Sequence, residues 1–173
     1  MKKDGMKPEN IKQAAFFTGH RVLRNSDLNI IREKVFQCIS GAYDSGYRRF
    51  YCGCARGFDM LAAFETIRLR VTHPDVILSL AIPCETQADR WNGPEREKYS
   101  RILELADEKT VLSPVYYQGV MLVRNRYMAD RSSLCICWLT HMNGGTASTV
   151  RYAMQNENMK VVNLAVPGNG SQY

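Results

Sequence analysis

Short apolar runs alternate with helix-spaced segments along nearly the whole chain, and this alternation is what most restricts the fold. The run from Val76 to Ile82 is the clearest case. It is apolar at every position but Ser79 and carries β-branched residues, as suits a strand buried on both faces. Similar runs cover 14–17, 49–52, 109–112, 134–139 and 160–164. Between them lie segments with helical periodicity at 28–39, 58–71, 95–106, 118–130 and 147–156. Asp27 is placed to cap the first of these, with Gly41 and Gly46 marking its end region, and His73-Pro74 stops the second. Strands alternating with helices over short connections predict an α/β fold: a Rossmann-like three-layer sandwich around a mostly parallel sheet, with right-handed crossovers.

At 173 residues and 45% hydrophobic, the chain is sized for a single domain with a substantial core. We expect an irregular leader over 1–12 and one Rossmann-like domain over 13–173. The leader is charged and lacks the apolar stretch of a secretory signal, and no apolar run is long enough to cross a bilayer. The expected location is the cytoplasm, with no membrane partner. Six cysteines fall at 38, 52, 54, 84, 135 and 137. Their C-x-C spacings differ from zinc-knuckle and redox motifs, and Cys135 and Cys137 lie in an apolar strand. They read as buried free thiols, with no metal site expected. The formal charge of +6 and pI near 9.1 suit an anionic ligand, although the basic residues are spread along the chain.

In an open parallel sheet, ligands bind beyond the C-terminal ends of the strands. Four segments following or near such ends carry suggestive chemistry. Gly144-Gly145-Thr146 follows a strand and opens a helix. Two glycines let the backbone approach an anion, and the helix start supplies free N–H groups. Thr146 can cap the helix or bond the ligand; a plain strand-to-helix turn is the alternative. Gly53-Cys54-Ala55-Arg56-Gly57 repeats the strand–glycine loop–helix grammar without matching G-x-G-x-x-G or a Walker lysine motif. Asp59, in the next turn, either caps that helix or accepts from a ribose hydroxyl. Thr18-Gly19-His20-Arg21 offers a tight turn with two donors for phosphate or carboxylate. In the loop after 76–82, Arg90 can pair with phosphate, while Trp91 either stacks on a base or anchors packing. Arg124 and Asn125 are expected to face the ligand region, whereas Arg126 and Asp130 are spaced for a helical ion pair.

No nucleophile–base pair and no paired carboxylates can be read. Asp59 and Glu85 are the candidate general bases if the chain is a hydrolase.

The set TGHR, GCARGFDMLAA, AIPCETQADRW, RNRYMADRSS and NGGTASTVRYA resembles the YpsA family within the SLOG superfamily. DprA and the LOG enzymes belong to the same superfamily. The resemblance runs from about Ala14 to Leu164. It implies a Rossmann-like fold with a nucleotide pocket at the strand ends. By position it places the glycine-rich site on Gly53, Gly57 and Asp59, and the first loop on Gly19, His20 and Arg21. It places a polar helix start on Arg124 and Asn125, and the GGT turn on Gly144, Gly145 and Thr146. LOG hydrolases resemble P-G-G-x-G-T-x-x-E; here Thr149 stands where that pattern has its glutamate. The leading expectation is a nucleotide-binding sensor or regulator for an ADP-ribose- or dinucleotide-like ligand, with no certain cofactor and a homodimer left open. The alternatives are a phosphoribohydrolase-like enzyme and a DprA-like single-stranded DNA binder.

Overall fold

The computed structural model describes residues 13–166; the expected leader and the last seven residues lie outside them. Six strands form one sheet: β1 (Ala14–Gly19), β2 (Arg49–Cys52), β3 (Ile77–Ile82), β4 (Glu108–Val111), β5 (Leu134–Trp138) and β6 (Lys160–Asn163). Their spatial order is β4-β3-β2-β1-β5-β6 and every pairing is parallel. The helices are α1 (Leu28–Asp44), α2 (Phe58–Arg70), α3 (Gly93–Leu105), α4 (Val120–Ala129) and α5 (Gly144–Ala153). A 3-10 turn, Asn25–Asp27, precedes α1.

The strand order explains the layers. The chain steps outward from β1 to β4, then returns to β1's other side for β5 and β6. Right-handed crossovers made in opposite directions put their helices on opposite faces. Accordingly α1, α2 and α3 pack on one face, and α4 and α5 on the other. Side-chain alternation along each strand feeds both cores. Ala15, Phe17 and Ile136 enter the first core, while Ala14, Phe16, Cys135 and Cys137 enter the second. The result is the expected three-layer α/β sandwich, with a sheet that is parallel throughout. β4 ends the sheet with exposed Glu108 and Lys109, charges that discourage further strand pairing.

Several local expectations are refined. α5 begins at Gly144 rather than after Thr146, so the two glycines and the threonine form its first turn. α1 runs through Gly41 to Asp44, and the Asp27 carboxylate makes no capping bond; it accepts instead from Ser26. α3 starts two residues early because Asn92 caps it, its side-chain oxygen accepting from the Glu95 amide at 2.9 Å. The ion pair expected between Arg126 and Asp130 is replaced: Tyr152 donates to Asp130 at 2.8 Å, and the Arg126 guanidinium lies over the Tyr152 ring. Cys52, Cys54, Cys84, Cys135 and Cys137 are buried free thiols, and Cys38 is partly buried. Burial pushes the Cys38 thiol up to about 11, so it too stays protonated at neutral pH. Among the described residues, no helix is long and apolar enough to cross a membrane.

Candidate functional site

β1 lies between β2 and β5, so the loops that follow these three strands leave the sheet side by side at one edge. This is also where the strand order reverses, the crevice in which open α/β sheets take their ligands. Gly53 and Gly145 are therefore on the same edge of the molecule. Two hydrogen bonds lace the three loops together through His20. Its carbonyl accepts from the Phe58 amide at 3.2 Å, and its Nε2 accepts from the Thr140 amide at 2.9 Å.

The second bond fixes the histidine's state. An Nε2 that accepts is unprotonated, so the ring is neutral with its proton on Nδ1. The His141 ring stacks on it with centroids 4.0 Å apart and planes 5° from parallel. Burial, then the neighbouring His141, lower the His20 pKa. Both disfavour a positive charge on His20.

The glycines of these loops serve different ends. Gly57 has φ +79°, and a Cβ there would run into the backbone carbonyls of His20 and Arg21. It is the joint where the β1 and β2 loops touch. A Cβ on Gly19 would enter the Phe58 side chain. At Gly53 the obstacle is the Arg124 guanidinium, which reaches across from α4. All three are contact glycines, demanded by the protein's own packing.

Arg124 itself is buried. It donates through Nη1 to the Gly53 carbonyl and through Nε to Asn125 Oδ1 at 2.8 Å. Gln87 reinforces the same loop from the β3 side, its Nε2 donating to the carbonyls of Gly53 and Cys54 at 3.2 and 2.9 Å. Those two carbonyls also fix the orientation of the Gln87 amide, leaving its buried Oε1 with no donor among the described residues. Cys54 sits in this loop at φ +51°, a left-handed conformation held by the surrounding bonds.

Asp59 lies beneath the loop, 5% exposed, and accepts from the Ala55 amide at 3.4 Å. Burial raises its pKa to about 6, opposed by the Arg124 charge and the Ala55 N–H. Three loop amides are thus already committed: Cys54 to the Cys52 sulfur, Ala55 to Asp59 and Phe58 to His20. Asp59 does not cap its helix; its carboxyl holds the Ala55 amide of its own loop. Arg124 likewise holds the loop from below rather than facing outward.

The first turn of α5 is built the other way. Asn143 precedes it in extended conformation and makes no side-chain capping bond. Among the described residues, no acceptor takes the amides of Gly144, Gly145 or Thr146. A Cβ built on either glycine meets nothing within 4 Å. Gly144 has φ +81° and Gly145 an ordinary helical one. Behind the turn, Thr149 donates to the Gly145 carbonyl at 2.8 Å and accepts from Asn125 Nδ2 at 2.7 Å. Asn125 therefore braces α5 against α4 through Thr149.

The remaining sequence candidates lie apart from this turn. Arg90 and Glu85 are exposed on the loop after β3. Trp91 packs edge-on against Tyr99, with the Arg56 guanidinium 6.0 Å from its ring centre, which is the packing-anchor alternative. The sequence reading missed Gln87, and it missed the bracing role of Thr149. A polar residue inside an apolar helix face was the available signal for Thr149; Gln87 had none, since its partners are 33 and 34 residues away.

A parallel six-stranded sheet whose strand order reverses at β1–β5 defines a Rossmann-like α/β protein. The profile of the YspA SLOG family matches residues 18–165, and the chain belongs to that family. A UPF0398 protein of Halalkalibacterium halodurans is 29% identical over 107 residues, covering 61% of this chain and 57% of that one. The SPbeta prophage-derived protein YoqJ of Bacillus subtilis is 26% identical over 117 residues, covering 61% and 68%. The match thus spans little more than half of the Halalkalibacterium protein. Among solved structures, DNA processing protein A (DprA) from Streptococcus pneumoniae superposes with a TM-score of 0.62 at 18% identity, over 91% of this chain and 51% of that one. DprA from Helicobacter pylori gives 0.59 at 18% identity, over 95% and 69%. At that identity the likeness is one of fold.

Proposed function

We propose that the chain binds a nucleotide-type ligand, ADP-ribose- or dinucleotide-like, and acts as a sensor or regulator. A phosphate group sits on the first turn of α5, accepting from the amides of Gly144, Gly145 and Thr146. The observation that carries this reading is the contrast between two glycine turns on one edge. At 53–57 the Cys54 and Ala55 amides are committed internally and the Arg124 side chain and the His20 and Arg21 carbonyls crowd Gly53 and Gly57, while the α5 turn keeps three N–H groups unpartnered beneath open space. The helix dipole adds a partial positive charge at the same point.

Binding is favoured over cleavage by what surrounds the turn. Thr149 holds a hydroxyl, already bonded on both sides, where hydrolysis of the LOG type needs a carboxylate. Asp59 is sealed under its loop and Glu85 stands out in solvent, so neither is poised over the α5 turn.

Substitution of Gly145 tests the reading cleanly. Its backbone is helical and its surroundings are empty, so Gly145→Val fits the fold, and any residue better suited to a helix than glycine adds up to about 1 kcal/mol of stability. The variant is expected to melt no lower than the parent while losing the stabilisation that ADP-ribose or NAD confers on the parent in a thermal-shift titration. Unchanged stabilisation in Gly145→Val refutes the assignment.

Single-stranded DNA is the second reading, favoured by the fold shared with DprA, whose Helicobacter pylori form binds single-stranded DNA, and by the net charge of +6. It predicts affinity for an oligonucleotide that falls steeply and log-linearly with salt.

A further inference from the structure

A cavity of about 620 Å³ opens on the sheet face that carries α1, α2 and α3. Its size is that of a small-molecule site. None of Gly144, Gly145 or Thr146 lines it, so it is distinct from the α5 turn. Its floor is apolar, built from Leu28, Met60, Leu61 and Phe64. Its rim is ionic, and the ion pairing there is incomplete. Arg32 is held by Glu65 at 2.8 Å, and Arg56 by Glu95 at 3.3 Å. Arg21 and Lys98 also line the cavity, and among the described residues neither is ion-paired. Four cations thus face two carboxylates, leaving two positive charges in excess.

The arrangement specifies a ligand by chemistry. An apolar floor takes a flat or hydrocarbon body by removing it from water. Two unneutralised cations at the rim match a group of about two negative charges, which at neutral pH is a phosphate monoester, carrying roughly −1.5 to −2. Asn25 and Asn29, on the rim, can each donate and accept, as a heterocycle edge requires.

We propose that this cavity is a second binding site, for a phosphate monoester with an apolar ring body of nucleoside monophosphate size. The ring lies on Met60, Leu61 and Phe64, and the phosphate is held by Arg21 and Lys98. The proposal does not depend on the α5 turn, and the two are separated by working in the Gly145→Val background.

The probes are AMP, adenosine and inorganic phosphate, titrated calorimetrically into the full chain carrying Gly145→Val, with amide shifts followed by NMR. AMP is expected to bind more tightly than adenosine or phosphate, and to move the amides of Leu61 and Lys98. Adding Lys98→Glu, an exposed reversal that leaves the core alone, is expected to weaken AMP by about tenfold or more. Adding Leu61→Trp, which fills the floor, is expected to abolish AMP binding while the amide spectrum stays folded. Any of three results overturns the proposal: no AMP binding up to millimolar concentration, AMP affinity unchanged by Lys98→Glu, or phosphate alone binding as tightly as AMP. Loss of AMP binding in Gly145→Val itself, with the parent binding normally, also overturns it, and leaves the α5 reading standing.

Discussion

Asp59 permits a prediction with a definite sign and size. Its carboxyl is buried under the 53–57 loop, and its pKa rises from the ordinary 3.8 to about 6. Burial raises it; the Arg124 charge and the Ala55 amide only partly offset this. A folded pKa above the unfolded one means that the folded state holds the proton more tightly. The stabilisation from protonation is therefore complete below about pH 3.8, declines as pH rises, and is gone above about pH 6. A difference of about 2 pH units, at about 1.4 kcal/mol each, amounts to about 3 kcal/mol. Asp59→Asn keeps an oxygen for the Ala55 amide and removes the titration. Groups common to both proteins cancel when the two are compared. Urea unfolding of parent and variant from about pH 4 to pH 8 is the assay. The stability of Asp59→Asn relative to the parent should climb by about 3 kcal/mol across that range and level off above about pH 6. A flat difference refutes the reasoning. A difference that falls with rising pH refutes it more strongly, since it means that Arg124 holds the carboxylate charged against burial.

Gly57→Ala should cost about 2 kcal/mol or more, read as a lower urea midpoint with unchanged slope, because φ +79° and the His20 and Arg21 carbonyls both exclude a Cβ. Acidification should free the loop after β5: His20 accepts the Thr140 amide only when neutral, and its lowered pKa places that loss below the usual histidine range. Hydrogen exchange at Thr140, corrected for intrinsic rates, should therefore quicken on acidification, and His20→Ala should show the fast exchange already at neutral pH. Thr149→Val should lower stability by about 1 kcal/mol by breaking the brace between α4 and α5, with Asn125 left to find water.

The sheet was legible because buried parallel strands are written as largely apolar runs, such as 77–82, each followed by a polar loop or a helical segment. Which glycines face a ligand was not legible. Gly53 and Gly145 look alike in sequence, yet one is glycine to admit the Arg124 guanidinium from 71 residues away and the other has nothing near it. The Arg126–Asp130 spacing was sound helical geometry, but Tyr152 from α5 reached the carboxylate first. Trp91 offered stacking or packing with equal plausibility, and only the position of Tyr99 decides between them. The 620 Å³ cavity had no signature at all, because its floor and rim come from faces of three helices and the loops after β1 and β2. Local pattern encodes elements and loop positions; partners distant along the chain determine which backbone groups remain free.

The central claim is that three amides at the start of α5 await an anion. Amide NMR of the labelled chain during titration with ADP-ribose tests it residue by residue. The account predicts that the Gly144, Gly145 and Thr146 resonances move together and saturably, and that Cys54, Ala55 and Phe58, whose amides are already bonded, move little. Saturable binding that leaves Gly144, Gly145 and Thr146 unshifted would contradict it.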